Sequence, residues 1–225
     1  MATIEPTKRE IQHSEKIKPY SSSLRLWHWV NMLVISGSLL TVLLNSTLLK
    51  SRNIAPVIKT ELQKAGAQPT DNQAKAVAHA LGDKVWDIHI YFGYGLAALL
   101  LFRIILEFFQ VADQKFIRTL KNAWGSFNAT KKQREQATHE LVVKLIYTVF
   151  YLLLLIMVTT GLFLAFEDFF APYKAIRSSV KSVHGFCMYL VLAFIAVHLA
   201  GVFLGERKDS KGVVSDMING GGDRD

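Results

Sequence analysis

Seven histidines stand in the 225-residue chain, and four of them, His28, His89, His184 and His198, fall inside long apolar runs. An ionisable side chain is costly in apolar surroundings and is usually retained there for function. Imidazole is a favoured axial ligand of haem iron. Two imidazoles on opposite faces fill both axial positions, which suits electron transfer rather than oxygen binding. His184 and His198 are fourteen residues apart. On one helix that is close to four turns, so the two rings face nearly the same way, about 21 Å apart along the axis. Two haems stacked across a membrane and both touching one helix require such a spacing. His13 and His79 lie in polar segments, and His139 stands just before the third apolar run.

The elements that must position these rings are the apolar runs themselves, at about 24–49, 85–109, 141–166 and 180–205. Each is 25 or 26 residues long, enough to cross a hydrocarbon layer of about 30 Å with some tilt. In lipid every backbone polar group must be satisfied within the segment, so each run is expected to be a helix. Alternating the direction of successive helices puts His28 and His198 about one turn inside one boundary. His89 and His184 fall at the matching depth on the other side. The four histidines therefore form two level pairs, His28 with His198 and His89 with His184. Holding a cofactor with ligands from facing helices is the common solution in bundles. The expected fold is an all-α, integral membrane four-helix bundle holding two stacked b-type haems. Its membrane domain covers 24–205, with tails at 1–23 and 206–225.

Charge gives the orientation. Fifteen Lys and Arg lie in the N-terminal segment through Arg25, the 110–140 loop and the C-terminal tail, against nine in the segments 50–84 and 167–182 on the other side. That asymmetry favours both termini in the cytoplasm, and in a bacterium the inner membrane is the expected site. The net charge of +8 sits in loops between apolar spans, which points to anionic lipid headgroups and not to nucleic acid. Residues 1–20 are charged and lack an apolar core, so the first span is expected to serve as its own insertion signal. The single cysteine, Cys187, excludes an internal disulfide framework and reads as a small apolar residue facing the bundle. Trp27, Trp29 and Trp86 stand near span ends, where amphipathic rings favour the headgroup region.

Several weaker signals surround the histidines. Arg103 follows His89 by fourteen residues and Arg25 precedes His28 by three. Either guanidinium suits a haem propionate, and snorkelling to the interface is the alternative, weighing evenly for Arg25 and less for Arg103. Gly37, Gly93, Gly95, Gly161 and Gly185 would admit a flat macrocycle or simply a neighbouring helix. His139 and Glu140 read as a helix start exposed to water, with proton delivery to a quinone as the sharper alternative. Residues 50–83 contain Pro56, Pro69 and a short helix-like stretch at 72–81 leading into the second span. On the cytoplasmic side Phe116, Ile117, Leu120, Trp124 and Phe127 recur near helical spacing, which suits a short helix lying on the membrane.

The stretches Arg25-Leu-Trp-His-Trp-Val-Asn31, His89-Ile-Tyr-Phe-Gly-Tyr-Gly95, His184-Gly-Phe-Cys-Met-Tyr189 and Ala196-Val-His198 resemble motifs of bacterial cytochrome b-561 proteins. Within that superfamily the run from His89 to Arg103 and the ending Gly205-Glu-Arg…Val-Ser-Asp-Met-Ile-Asn-Gly220 are most similar to the b-type cytochrome subunit of membrane-bound nickel–iron hydrogenases. The resemblance implies a four-helix protein with two b-type haems on His28, His89, His184 and His198. It also implies electron transfer between an extracytoplasmic oxidoreductase, hydrogenase small and large subunits in the nearest case, and the quinone pool. Related subunits serve thiosulfate reductases, formate dehydrogenases and multihaem c-type cytochromes. A free-standing quinone reductase or oxidant scavenger of the same fold is the second expectation, separable by co-purifying subunits. A haem-free transporter or anchor is the third, and it would show no visible absorbance.

Overall fold

The computed structural model describes residues 22–109, 131–207 and 212–219, and these are helices joined by turns. In chain order the helices are α1 (Ser22–Ser46), α2 (Ser51–Lys64), α3 (Asp71–Phe109), α4 (Lys131–Ala165), α5 (Arg177–Arg207) and α6 (Val213–Asn219). A 3₁₀ turn, Ala171–Ile176, leads into α5. Helices α1, α3, α4 and α5 are each long and apolar enough to cross a membrane. Their outward surfaces are apolar as well: Leu26 is 62% exposed, Tyr91 71% and Phe203 57%. In water such surfaces would associate, whereas hydrocarbon solvates them.

Helix α3 begins well before the apolar run at 85. The helix-like stretch at 72–81 is thus not a separate element but the first turns of the second span. Its start is a capping box. The Gln73 backbone N–H donates to Thr70 Oγ1 at 3.3 Å, and the Thr70 backbone N–H donates to Gln73 Oε1 at 2.8 Å. Two otherwise orphaned donors are satisfied reciprocally, which fixes the boundary. Hydropathy locates the lipid-facing part of a helix, not its end. Helix α4 likewise begins upstream of its apolar run.

Helix α2 was not foreseen in the sequence, where the helix-like stretch of residues 50–83 was placed at 72–81. Pro56 lies inside it, and in a short helix the lost N–H removes one backbone bond. Packing supplies the compensation. Ala55 of α2 and Ala74 and Ala78 of α3 are buried together, flanked by Ile54 and Ile58. Small residues at a helix contact let backbones approach closely. Lys59 Nζ also donates to Asp71 Oδ1 at 2.6 Å, tying α2 to the first residue of α3.

The chain divides into two compact units, Asn31–Val191 and the pair of segments Met1–Val30 and Leu192–Asp225. In the larger unit Leu100, Phe150, Leu153, Leu154, Cys187 and Val191 are buried. Gly37 of α1 faces Phe92 of α3 so closely that a Cβ there would lie 2.4 Å from the ring. Arg177 donates to the Leu164 carbonyl at 2.9 Å and pairs with Glu167, closing the turn between α4 and α5.

In the smaller unit α6 is tied at both ends. Glu206 accepts from the Gly212 backbone N–H at 2.9 Å, ahead of the first turn. Trp29 Nε1 donates to the Met217 carbonyl at 3.1 Å, and Arg25 donates to that of Ile218. Cations suit the unsatisfied carbonyls of a helix C-terminus. Trp27 is buried within the protein and does not lie in an exposed belt. The membrane-surface helix expected around Phe116–Phe127 falls outside the described residues.

Candidate functional site

The four span histidines meet two by two. In the larger unit His89, on α3, faces His184, on α5, with ring centroids 6.4 Å apart and planes at 82°. In the smaller unit His28, on α1, faces His198, also on α5, with centroids 6.3 Å apart and planes at 58°. Helix periodicity explains why one helix serves both pairs, since His184 and His198 are close to a whole number of turns apart.

The separations carry chemical information. With about 2.0 Å from each imidazole nitrogen to a metal and about 1.2 Å from nitrogen to ring centre, two axial rings stand about 6.4 Å apart. Imidazoles in direct hydrogen-bonded contact would stand closer, while rings packed side by side span this range as well, as Tyr91 and Tyr94 do at 6.3 Å. Among the described residues no group of three or more His, Cys, Asp or Glu comes together as a metal site. Each pair therefore offers two ligands. A bare ion bound by two ligands is under-coordinated, whereas a macrocycle brings four of its own and requires two more.

In the larger unit the remaining ring nitrogens are also accounted for. His89 Nδ1 lies 2.9 Å from Thr41 Oγ1, and the Thr41 hydroxyl itself donates to the Ser38 carbonyl at 2.6 Å. The Ser38 hydroxyl and carbonyl are each 3.3 Å from the same nitrogen. His184 Nδ1 lies 2.8 Å from Thr160 Oγ1, and that hydroxyl donates to the Ile156 carbonyl one turn back. A threonine hydroxyl has one proton. Since the carbonyl takes it, the oxygen accepts from the ring, and Nδ1 carries the hydrogen. Nε2 of both rings is then left with its lone pair, the form a metal ligand needs.

The smaller unit is built differently. Among the described residues His28 Nδ1 is buried without a hydrogen-bond partner. The ring is held by aromatic contacts instead, edge-on to Trp29 at 5.3 Å. His198 stacks on Phe194 with centroids 5.9 Å apart and planes at 5°. Close packing also matters at His184, because a Cβ at Gly161 would approach its Cε1 to 3.3 Å. Of the glycines singled out in the sequence, Gly37 and Gly161 are the ones whose space is filled by a neighbour at close range.

Arg103 is buried at 9% exposure, with Nε donating to Tyr151 Oη at 3.0 Å. A buried guanidinium is a ready partner for an anionic or carbonyl oxygen. Arg25 is committed to the Ile218 carbonyl and to Ser22 Oγ, 3.3 Å away, and its Nε is buried without a partner. Helix α4 carries His139 and Glu140 near its start. Thr41, Thr160, Ser38 and Tyr151 escaped sequence reasoning. Hydroxyls are common in membrane helices, where they bond back to their own carbonyls. Only the partner across the helix pair distinguishes these.

Residues 19–220 match the family described as prokaryotic cytochrome b561. No curated protein and no solved structure gives a match. That family binds b-type haem, and the match spans all four membrane-crossing helices together with α6. The facing imidazoles, the apolar outer surfaces and the family match concur: the chain belongs to the prokaryotic cytochrome b561 family, as an integral membrane b-type cytochrome of electron transfer.

Proposed function

We propose that the protein is a di-haem cytochrome subunit that passes electrons between an extracytoplasmic oxidoreductase and the quinone pool of the bacterial inner membrane. One observation carries the di-haem reading: two separate imidazole pairs, at 6.4 Å and 6.3 Å, each spaced for axial ligation of one iron. A bound b-type haem supplies a one-electron couple. With both axial positions taken by histidine it has none left for oxygen. The chain's own residues do the rest. His89 and His184 present Nε2 because Thr41 and Thr160 hold the opposite nitrogens. His28 and His198 are held by Trp29 and Phe194. The apolar walls exclude water, which lowers the reorganisation that accompanies electron movement.

Arg103 is the residue we assign to an anionic or carbonyl oxygen, either a haem propionate or a quinone, with Tyr151 fixing its guanidinium. Arg25, tied to α6, offers only its Nε for a similar role. Electrons arrive at the His89/His184 site and leave from the His28/His198 site, with both termini in the cytoplasm. Protons for quinone reduction then come from the cytoplasm, and the transfer separates charge, worth about 2.3 kcal/mol per charge per 100 mV. Nickel–iron hydrogenase is the partner we assign. The support is the similarity of the His89–Arg103 run and of the Gly205–Gly220 ending to hydrogenase cytochrome subunits.

The test is a reduced-minus-oxidised spectrum of the purified protein with haem quantified as pyridine haemochrome. Two low-spin b haems per chain, unreactive toward carbon monoxide, are expected. One haem or none refutes the di-haem reading. Reduction of the haems by hydrogen when hydrogenase is added in membranes tests the partner, and inert haems there refute it.

A further inference from the structure

The two imidazole pairs differ in what stands behind them, and the difference concerns potential. We infer that Thr41 and Thr160 are positioning residues that make the His89/His184 site the lower-potential of the two, so that electrons run from it to the His28/His198 site. The inference rests on the di-haem reading above and deepens it by naming the residues that set the potential of one site.

The argument starts from proton accounting. Thr41 Oγ1 and Thr160 Oγ1 each spend their hydrogen on a backbone carbonyl, at 2.6 Å and 2.5 Å. Each then accepts from an imidazole, at 2.9 Å and 2.8 Å. Hydrogen bonds in such chains polarise one another, so these oxygens accept more strongly than isolated hydroxyls. An imidazole that donates from Nδ1 gains electron density at Nε2 and becomes a more basic ligand. A more basic ligand favours the more highly charged ferric iron and so lowers the reduction potential. Both rings of the pair carry this contact, and His89 has the Ser38 hydroxyl and carbonyl in addition, each at 3.3 Å.

The other pair lacks the device on at least one ring. Among the described residues His28 Nδ1 is buried with no acceptor, so His28 is the weaker donor. The neighbours at these rings are the aromatic side chains Trp29, edge-on to His28, and Phe194, stacked on His198. Ferrous iron is therefore relatively favoured at this site. The transfer moves one electron. With haem held at both sites, His89 and His184 would hold the electron donor and His28 and His198 the acceptor, and no proton or bond would be exchanged.

The experiment is a spectroelectrochemical titration of the purified holoprotein, comparing wild type with Thr41→Val and Thr160→Val. Wild type should resolve two one-electron components. Each valine variant should raise the lower one, changing its ratio of reduced to oxidised haem at a fixed potential by up to tenfold, about 59 mV for one electron. The upper component should stay in place. Thr41→Ser and Thr160→Ser keep the hydroxyl and should keep the wild-type midpoints. Unmoved components at full haem occupancy overturn the inference, as does movement of the upper one.

The two hydroxyls sit on different helices, so either variant alone suffices. His198→Ala gives a check that alters neither threonine. The low-spin haem it retains must titrate as the lower component, and retention of the upper one overturns the inference. Wild-type protein with fewer than two b haems would instead refute the di-haem reading itself.

Discussion

Replacing His198 by alanine is the most direct perturbation of the proposed ligand set. The His28 and His198 centroids are 6.3 Å apart, so the pair would hold a metal at about 2.0 Å from each nitrogen. Alanine ends at Cβ, about 3.6 Å short of the position of Nε2, leaving a methyl group about 5.6 Å from that point. No small movement of α5 closes such a gap in a packed helix. The site loses one of its two protein ligands outright. The His89/His184 pair shares no residue with it and belongs to the other compact unit. Haem content should fall from two per chain to one, halving the reduced-minus-oxidised amplitude, or one haem should turn high-spin and bind carbon monoxide. Added imidazole should restore the low-spin spectrum in the second case, because the void has the shape of the missing ring. Pyridine haemochrome quantification and a carbon monoxide difference spectrum read both outcomes. Retention of two low-spin haems refutes the ligand assignment, and loss of both refutes the independence of the pairs.

Three further outcomes follow from contacts elsewhere. Tyr151→Phe keeps the ring beneath Arg103 but removes the acceptor 3.0 Å from Nε; a hydrogen bond to a buried charge contributes about 1.5–3 kcal/mol, so faster thermal loss of haem absorbance is expected, and an unchanged rate would show that the bond contributes nothing. Gly37→Ala places a Cβ 2.4 Å from the Phe92 ring, where overpacking of about 1–3 kcal/mol outweighs the helix-propensity gain of about 1 kcal/mol. Phe92→Leu in the same chain should relieve the loss, and a failure of relief would locate the clash elsewhere. The hydrogen bond from Lys59, and then its charge, hold the Asp71 carboxyl below its ordinary 3.8. The contact is thus complete above that value and is lost as pH falls through the depressed one. Amide exchange in α2 should rise in that acid window, and Asp71→Asn should make it independent of pH there.

Much of this protein was legible in the sequence because the deciding physics is local. An apolar run long enough to span lipid must be helical, whatever its neighbours do, since it has no other way to satisfy its backbone. The cost of histidine in such runs singled out His28, His89, His184 and His198, and the fourteen-residue interval put two of them on one helix face.

What the tertiary structure decided is everything that depends on the rotation of one helix against another. Thr41 lies 48 residues from His89, Thr160 24 residues from His184, and Tyr151 48 residues from Arg103. None of these hydroxyls differs locally from others in the same helices, such as Thr159, which bonds only to its own backbone. Helix α2 persists around Pro56 because Ala55, Ala74 and Ala78 close on one another, a contact invisible within either segment. Helix α6 likewise depends on Arg25 and Trp29, almost two hundred residues away. Periodicity and burial cost act along a segment and are written in its order of residues. Ring separation, tautomer and the acceptor behind each imidazole arise only when segments distant in sequence pack together.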